Sequence, residues 1–391
     1  MTFPLLKLPY VPLNLITKMM NANEIQCYRM KLAMSSYRLE LFLRGAKFRI
    51  REIHVHLSKE SLQFDLIDSK NAWITCFRMR KSRNQIKNVT KLEQFCKRYG
   101  KEVDNRLFIN SFSMEAIFDL YHRVTSLFSS FLVGWVFYAD TINNRTFVTY
   151  LDRALSENGT WFTFINDSLS SEVLKEIMDK IPVTKRIEIE ADTPMDFTHP
   201  NLLKYFVMKY KNGRWVTLDH LKSFRNVGFF EIFFSNFDCT DINKFLKYWI
   251  DCGETMIDLL AITLKEGTVP NVDILTDGLV TLHEDDGGKY PNIFMKGRNN
   301  NTRKEVIGLV LLRGNNLLEF STWEPDECEG VYELLVLLEN KKELENEMEK
   351  IQEEGVNTVE ENRRVREIIM ELEKVKDELV VKNQRGFVFE I

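Results

Sequence analysis

The sequence predicts a mixed α+β or α/β chain: a small N-terminal helical unit, then a mixed sheet and an irregular leucine-rich-like α/β array, then a C-terminal helical hairpin. Three patterns carry this prediction. Apolar residues recur at three-and-four spacing at both ends of the chain, and they alternate with polar residues between about positions 47 and 80. From about residue 115, strand and helix patterns follow one another at intervals of about 25 to 30 residues. An ordinary open α/β sheet is the alternative to a stacked array. The expected segments are 1–45, 46–114, 115–330 and 331–391.

A length of 391 residues, with 44% hydrophobic and 28% charged side chains, is enough for two or three domains with a sizeable core. The net charge of −4 supplies no global field that would recruit nucleic acid or an anionic membrane. Six cysteines (Cys27, Cys76, Cys96, Cys239, Cys252 and Cys328) are scattered without a CxxC pair. A chain this long needs no disulfide staples, so a reducing compartment, cytosol or nucleus, is expected.

The first element is "FPLLKLPYVPLNLITKMM", residues 3–20. Lys7 and Lys18 fall inside it, Pro4, Pro9 and Pro12 break it, and no small-residue cleavage site follows, so it does not read as a secretory leader. Leu13, Ile16, Met19 and Met20 form one face of a helix, with Pro12 suited to its first turn. A second helix is expected over Tyr28–Leu43, presenting Leu32, Tyr37, Leu39 and Leu43, with Gly45 as its stop. Together they make a unit that is marginal as an independent domain.

Period two takes over at "FRIREIHVHL", followed by "SLQFDLI" and "WITCFRM", which predicts a short antiparallel sheet. The segment from Arg78 to Arg106 holds ten basic and three acidic residues and reads as a solvated helix and loop. Without a nucleic-acid module signature, its charge alone gives only weak, salt-sensitive phosphate contact, so nucleic acid is not an expected partner. The apolar run Leu127–Ala139 is too short to span a bilayer and is expected as a buried strand or helix; no membrane partner follows.

Candidate strands then begin at residues 134, 161, 186, 229 and 257, with helical patterns "SSEVLKEIMDKI" and "TDINKFLKYWI" between them. The interval from 186 to 229 is the long one; it contains "WVTLDHLKSF" and has room for an extra unit. Residues 339–378 carry fourteen acidic and eight basic side chains around Leu344, Met348, Ile351, Val365, Ile368, Leu372, Val375 and Leu379. Those are two amphipathic arms with coiled-coil-like spacing. Gly355 ends the first, and Thr358 with Glu361 reads as a capping box opening the second.

A converging set of catalytic groups is not legible. Neither GxGxxG, GxxxxGK[ST] nor HExxH occurs, and "EDDGGKY" at 284 reads as an acidic surface turn. His54 and His56 point to one face of a strand but lack further ligands at metal spacing, and Cys239 and Cys252 read as core thiols. Asp238 and Asp241, at a strand end, are the polar residues that an enzyme reading would need to converge in a pocket. No catalytic residue, metal or cofactor is expected, and the chain is not expected to be an enzyme.

The opening helix goes further. "LPYVPLNLITKMM" resembles the first half of an F-box, with Leu8, Pro9, Leu13, Ile16 and Met19 in the register LPxxxLxxIxxM and Met20 beside them. The flanking "FPLL" and "MNANEI" look like the version found in the large F-box families of nematodes. "IPVTKRIEIEAD", "WVTLDHLKSF" and "FDCTDINKFLKYWI" are similar to the type-2 F-box-associated domain that follows the F-box there. The chain departs from the usual pattern between Ile25 and Ser35, where it has about three more residues, roughly one helical turn, and "CYRMKLAMSSYRLELF" replaces the expected leucine- and serine-rich second helix.

The resemblance implies a non-catalytic substrate-recognition adaptor of an SCF-type ubiquitin ligase. Leu8, Pro9, Leu13, Ile16, Met19 and Met20 would then face the Skp-type linker protein of a cullin ligase, and the C-terminal domain would hold an unidentified protein substrate. The alternative is a non-degradative scaffold whose divergent F-box no longer binds the linker.

Overall fold

The structure, a computed structural model, describes residues 44, 48–58, 61–67, 73–81, 106–109, 114–129, 131–139, 144–285, 287–298, 303–314, 316–328, 330–354, 359–383 and 386–388. The two N-terminal helices, most of the basic segment after Arg78, and the link holding Gly355 and Thr358 lie outside the described residues. The chain divides into two compact units, Met1–Asp192 and Thr193–Ile391.

In the first unit the elements run β1 (Phe48–Arg49), β2 (Glu52–Leu57), β3 (Ser61–Ile67), β4 (Trp73–Lys81), β5 (Arg106–Ile109), α1 (Met114–Thr125), β6 (Phe128–Ser129), β7 (Leu132–Tyr138), α2 (Asn144–Ser156), β8 (Trp161–Ser168), α3 (Ser171–Lys180) and β9 (Arg186–Asp192). β1 pairs with β6, and the others line up as β5–β4–β3–β2–β7–β8–β9. β2 and β3 are antiparallel because a turn closed by Ser58 Oγ, which accepts from the Ser61 amide at 3.0 Å, leaves no room for a crossover. β7, β8 and β9 are parallel because a helix separates each from the next. Within the run Leu127–Ala139, Phe128–Ser129 and Leu132–Tyr138 are strand.

Strand alternation decides the two faces. Ile53, Val55, Trp135, Phe137, Phe162, Phe164, Ile187 and Ile189 are buried on one side. Trp135 packs against Phe118 and Tyr121 of α1, with ring centroids 5.3 and 5.2 Å apart, and Phe147 of α2 meets Phe137 and Phe164. Successive right-handed crossovers adding strands in one direction put α2 and α3 on the same side.

The second unit runs β10 (Val207–Tyr210), α4 (Leu218–Lys222), β11 (Val227–Ile232), α5 (Cys239–Asp251), β12 (Ile257–Thr263), α6 (Val272–Thr276), β13 (Thr281–Glu284), β14 (Asn292–Lys296), β15 (Ile307–Arg313), β16 (Leu317–Trp323), α7 (Val331–Glu354) and α8 (Val359–Lys382). Its strand order is β10–β11–β12–β16–β15–β14–β13. The long interval between residues 186 and 229 holds β10 and α4, the extra unit for which the sequence has room. In both units, parallel strands that are neighbours in sequence are neighbours in space, the geometry of stacked strand–helix steps.

The antiparallel end, β13 to β16, departs from the expected α/β alternation. Links too short for a crossover helix account for two of its pairings: three residues, Asn316 at φ 59° among them, join β15 to β16, and seven, Gly287 at φ 78° among them, join β13 to β14. The C-terminal helices form the expected hairpin. Leu334, Leu335 and Leu338 of α7 and Leu379 of α8 pack with Leu282, Phe294 and Ile307 of the sheet. Farther along, Arg364 of α8 grips Glu347 of α7 with two bonds of 2.7 and 2.8 Å. That pairing holds the Glu347 carboxyl below the usual carboxylate range.

Candidate binding surface

In the second unit, the face opposite α4 and α5 carries Val207 and Lys209 of β10, Phe229 and Glu231 of β11, and Leu259 of β12, all half-buried. Lys209 Nζ lies 3.2 Å from Glu231 and 5.2 Å from the Phe233 ring centroid. Strand register continues this face through Ser321 of β16 to Leu309 of β15, where α7 packs beside it. The result is an amphipathic sheet surface bordered by the hairpin.

The helices behind it are fixed by local chemistry. Asp238 is the N-cap of α5: its Oδ1 accepts from the Asp241 amide at 3.0 Å, and the Asp241 carboxylate accepts from the Asp238 amide at 3.4 Å. This reciprocal capping box accounts for both aspartates structurally. Thr217 and His220 make the equivalent box at α4. Cys239 is buried, and its sulfur accepts from the Asn271 amide at 3.5 Å. At the other end of α5, the Arg303 guanidinium stacks 4.0 Å over Trp249 and donates to the carbonyls of Trp249 and Cys252 at 2.8 and 2.7 Å.

The first unit presents a second face, opposite α1, α2 and α3. Glu52, His54 and His56 alternate with buried Ile53, Val55 and Leu57, as the spacing predicts. His54 Nε2 donates to Glu52 at 3.1 Å, and His56 Nε2 lies 3.0 Å from Asp65 of β3. Burial holds the His54 imidazole below its ordinary pKa, outweighing the bond to Glu52 that would raise it. Across β7 and β8 the floor is Val136, Thr163 and the ring of Trp161, which stands edge-on to His54 at 4.8 Å. On β9, Glu188 accepts from Thr163 at 2.8 Å and from Arg186 Nε at 2.9 Å. These residues enclose a hollow of about 420 Å³.

The stretch from β10 through β12 is where the chain is similar to known proteins. Residues 197–263 match the F-box associated family model. No curated protein and no solved structure matches the chain. The F-box-associated segment therefore contains α4, α5 and the three parallel strands of the second unit, with the open row from Val207 to Leu259 on its surface. "WVTLDHLKSF" and "FDCTDINKFLKYWI" fall inside it; "IPVTKRIEIEAD" precedes it and forms β9 and the turn before it.

The expected linker-facing residues Leu8, Pro9, Leu13, Ile16, Met19 and Met20 lie outside the described residues. No group of three or more metal-ligating side chains comes together among the described residues, and none of their helices is long and apolar enough to cross a membrane. Sequence reading missed that Asp65, Glu188 and Glu190 share a face with the two histidines. The available signal was period two in "SLQFDLI" and "RIEIE", which places every second residue on one side once the pairing is known.

Proposed function

We propose that this protein is the substrate-recognition adaptor of an SCF-type ubiquitin ligase, of the kind found in the expanded nematode F-box families. The observation that carries the reading is the F-box-associated match at residues 197–263, preceded in the same chain by the LPxxxLxxIxxM pattern. The segment 1–45 would dock on a Skp-type linker, 46–114 would connect it to a target-binding region over 115–330, and 331–391 would close the chain. The protein would act in the cytosol or nucleus and make no bonds itself. Holding linker and target together raises the effective concentration of target lysines at the transfer centre.

Burying Leu8, Leu13, Ile16 and Met19 at about 1.5 to 3 kcal/mol each supplies roughly 6 to 12 kcal/mol. That is comparable with the cost of association, so the second helix must contribute as well. The test is co-purification with a Skp-type linker. Wild type should recover it, and Leu13→Asp with Ile16→Asp should abolish recovery while the far-UV CD spectrum stays that of wild type. Failure of wild type to recover any linker, together with unfolding of the double variant, would instead mean that the helix packs internally and the chain is a scaffold.

A further inference from the structure

The outward flank of α8 carries large apolar side chains in solvent. Val359, Ile369, Met370 and Val380 are 89%, 44%, 62% and 66% exposed. At about 100° per residue they share an arc of about 100° with Arg366 and Glu373. That arc is centred about 130° from the seam of Ile368, Leu372 and Leu379, the buried residues of the helix. The charges of α8 divide between the same two sides. Away from the stripe, Arg364 pairs with Glu347 and Glu371, Lys374 with Glu378, and Lys382 with Glu333. Arg366, Glu373 and Asp377, all exposed, make no ion pair among the described residues. An apolar stripe rimmed by charge marks an interaction site.

The order of these residues along α8 fits the helix to a second copy of itself running the other way. The middle of the stripe falls between Ile369 and Met370. A two-fold axis there brings Arg366 level with Glu373 of the second copy, twice over, and Val359 level with Val380. It sets Met370 beside Met370 on one flank and Ile369 beside Ile369 on the other. Asp377 comes within one residue's rise, about 1.5 Å, of the level of Arg363 on the same flank. Lys376 is level with Arg363 but lies on the opposite flank of the stripe, so like charges do not meet. A parallel pairing would instead set Arg366 against Arg366 and Glu373 against Glu373, which is repulsive. We propose that this flank of α8 is a homodimer interface, pairing antiparallel with α8 of a second copy about an axis between Ile369 and Met370. The contact is one helix long, which makes the dimer reversible and concentration-dependent.

The experiment is sedimentation velocity on the full-length chain, over a series from about 1 µM to about 100 µM. The mass should rise with concentration from the 46.2 kDa of one chain toward twice that value. Met370→Asp should raise the dissociation constant about tenfold or more, with the far-UV CD spectrum unchanged because the side chain stands in solvent in the single chain. Arg366→Glu and Glu373→Arg should each weaken the dimer, since each sets like charges together twice. An equimolar mixture of those two variants should associate again, and so should one chain carrying both changes. That exchange decides the matter if Met370→Asp does not fold. A monomer at every concentration, growth beyond the dimer, a dimer indifferent to Met370→Asp, or charge-reversed variants that stay apart on mixing would each overturn the inference. The pairing uses no residue of the segment 1–45, so its failure leaves the adaptor test standing, and the reverse also holds.

Discussion

Replacing Arg303 should destabilise the second unit more than any other single change at its surface-lying loops, because this side chain closes the end of α5. It is 3% exposed, yet it carries a charge, and burial brings its pKa down to about 10. A shift of that size corresponds to roughly 3 kcal/mol against the charged form. The guanidinium is nevertheless held by bonds to the carbonyls of Trp249, Cys252 and Glu305 at 2.8, 2.7 and 2.9 Å. Hydrogen bonds to a charged group contribute about 1.5 to 3 kcal/mol each, and stacking on a desolvated tryptophan adds about 2. The balance favours the native side chain by a few kcal/mol.

Arg303→Ala removes all of this and leaves carbonyls at the negative end of the helix without their donor. The expected loss is about 3 kcal/mol, within a range of roughly 2 to 5. In urea, with a slope of about 2 to 3 kcal/mol/M, the midpoint of the transition should fall by about 1 M. Tryptophan fluorescence is the appropriate probe, since Trp249 lies directly beneath the guanidinium. Arg303→Lys keeps the charge but has no planar fork, so it should recover only part of the loss. A midpoint for Arg303→Ala within about 0.3 M of wild type, or a lysine variant as stable as wild type, would refute the reasoning.

Three further predictions concern single side chains. A Cβ at Gly134 would lie 2.0 Å from the Trp161 ring, so Gly134→Ala should cost about 1 to 3 kcal/mol and alter the near-UV CD by displacing that tryptophan. The folded-state pKa of His54 is depressed by burial, so its contribution is fully present above its unfolded value near 6.5 and is lost as pH falls through the folded value. Wild type should therefore lose stability below about pH 6.5 more steeply than His54→Gln, by at most about 1.4 kcal/mol per pH unit; parallel urea midpoints between pH 7 and 5 would contradict this. Asp238→Ala removes the α5 N-cap and should cost about 1 kcal/mol in thermal or urea unfolding, whereas Asp238→Asn should be nearly neutral.

How much of this was legible depends on whether the determinant is local. β3 was readable to the residue as "SLQFDLI": Ser61 and Gln63 are half-buried and alternate with buried Leu62 and Phe64, although Asp65, Leu66 and Ile67 are all buried. α5 was readable because apolar spacing and a capping aspartate agree. The short strands Thr281–Glu284 and Asn292–Lys296 carry too few residues to display a period, and their pairing depends on distant partners. Arg303 stands just beyond "GRNNN", where composition indicates a solvated loop; nothing near it in sequence reveals that it reaches Trp249. The hollow in the first unit was half visible. The shared face of His54 and His56 follows from strand period, but Asp65 and Glu190 join it only through register across strands.

The F-box-associated match also ends where the fold does not. β12, its last strand, is paired along one edge by β11 and along the other by β16, which comes more than fifty residues later. Phe320 of β16 packs edge-on to Trp249 and Phe245 of α5 at 5.0 and 5.8 Å, and Arg303 caps the same helix. Residues 197–263 alone would therefore expose the β12 edge and the side of α5 that Phe320 covers. On the adaptor reading this gives the C-terminal hairpin a place in recognition. α7 stands beside the open row that runs from Val207 to Leu259 and on to Ser321, so a target laid on the matched strands would meet the helical wall at its far end. On that reading specificity would be divided between the sheet surface of the matched segment and a border supplied by sequence outside it.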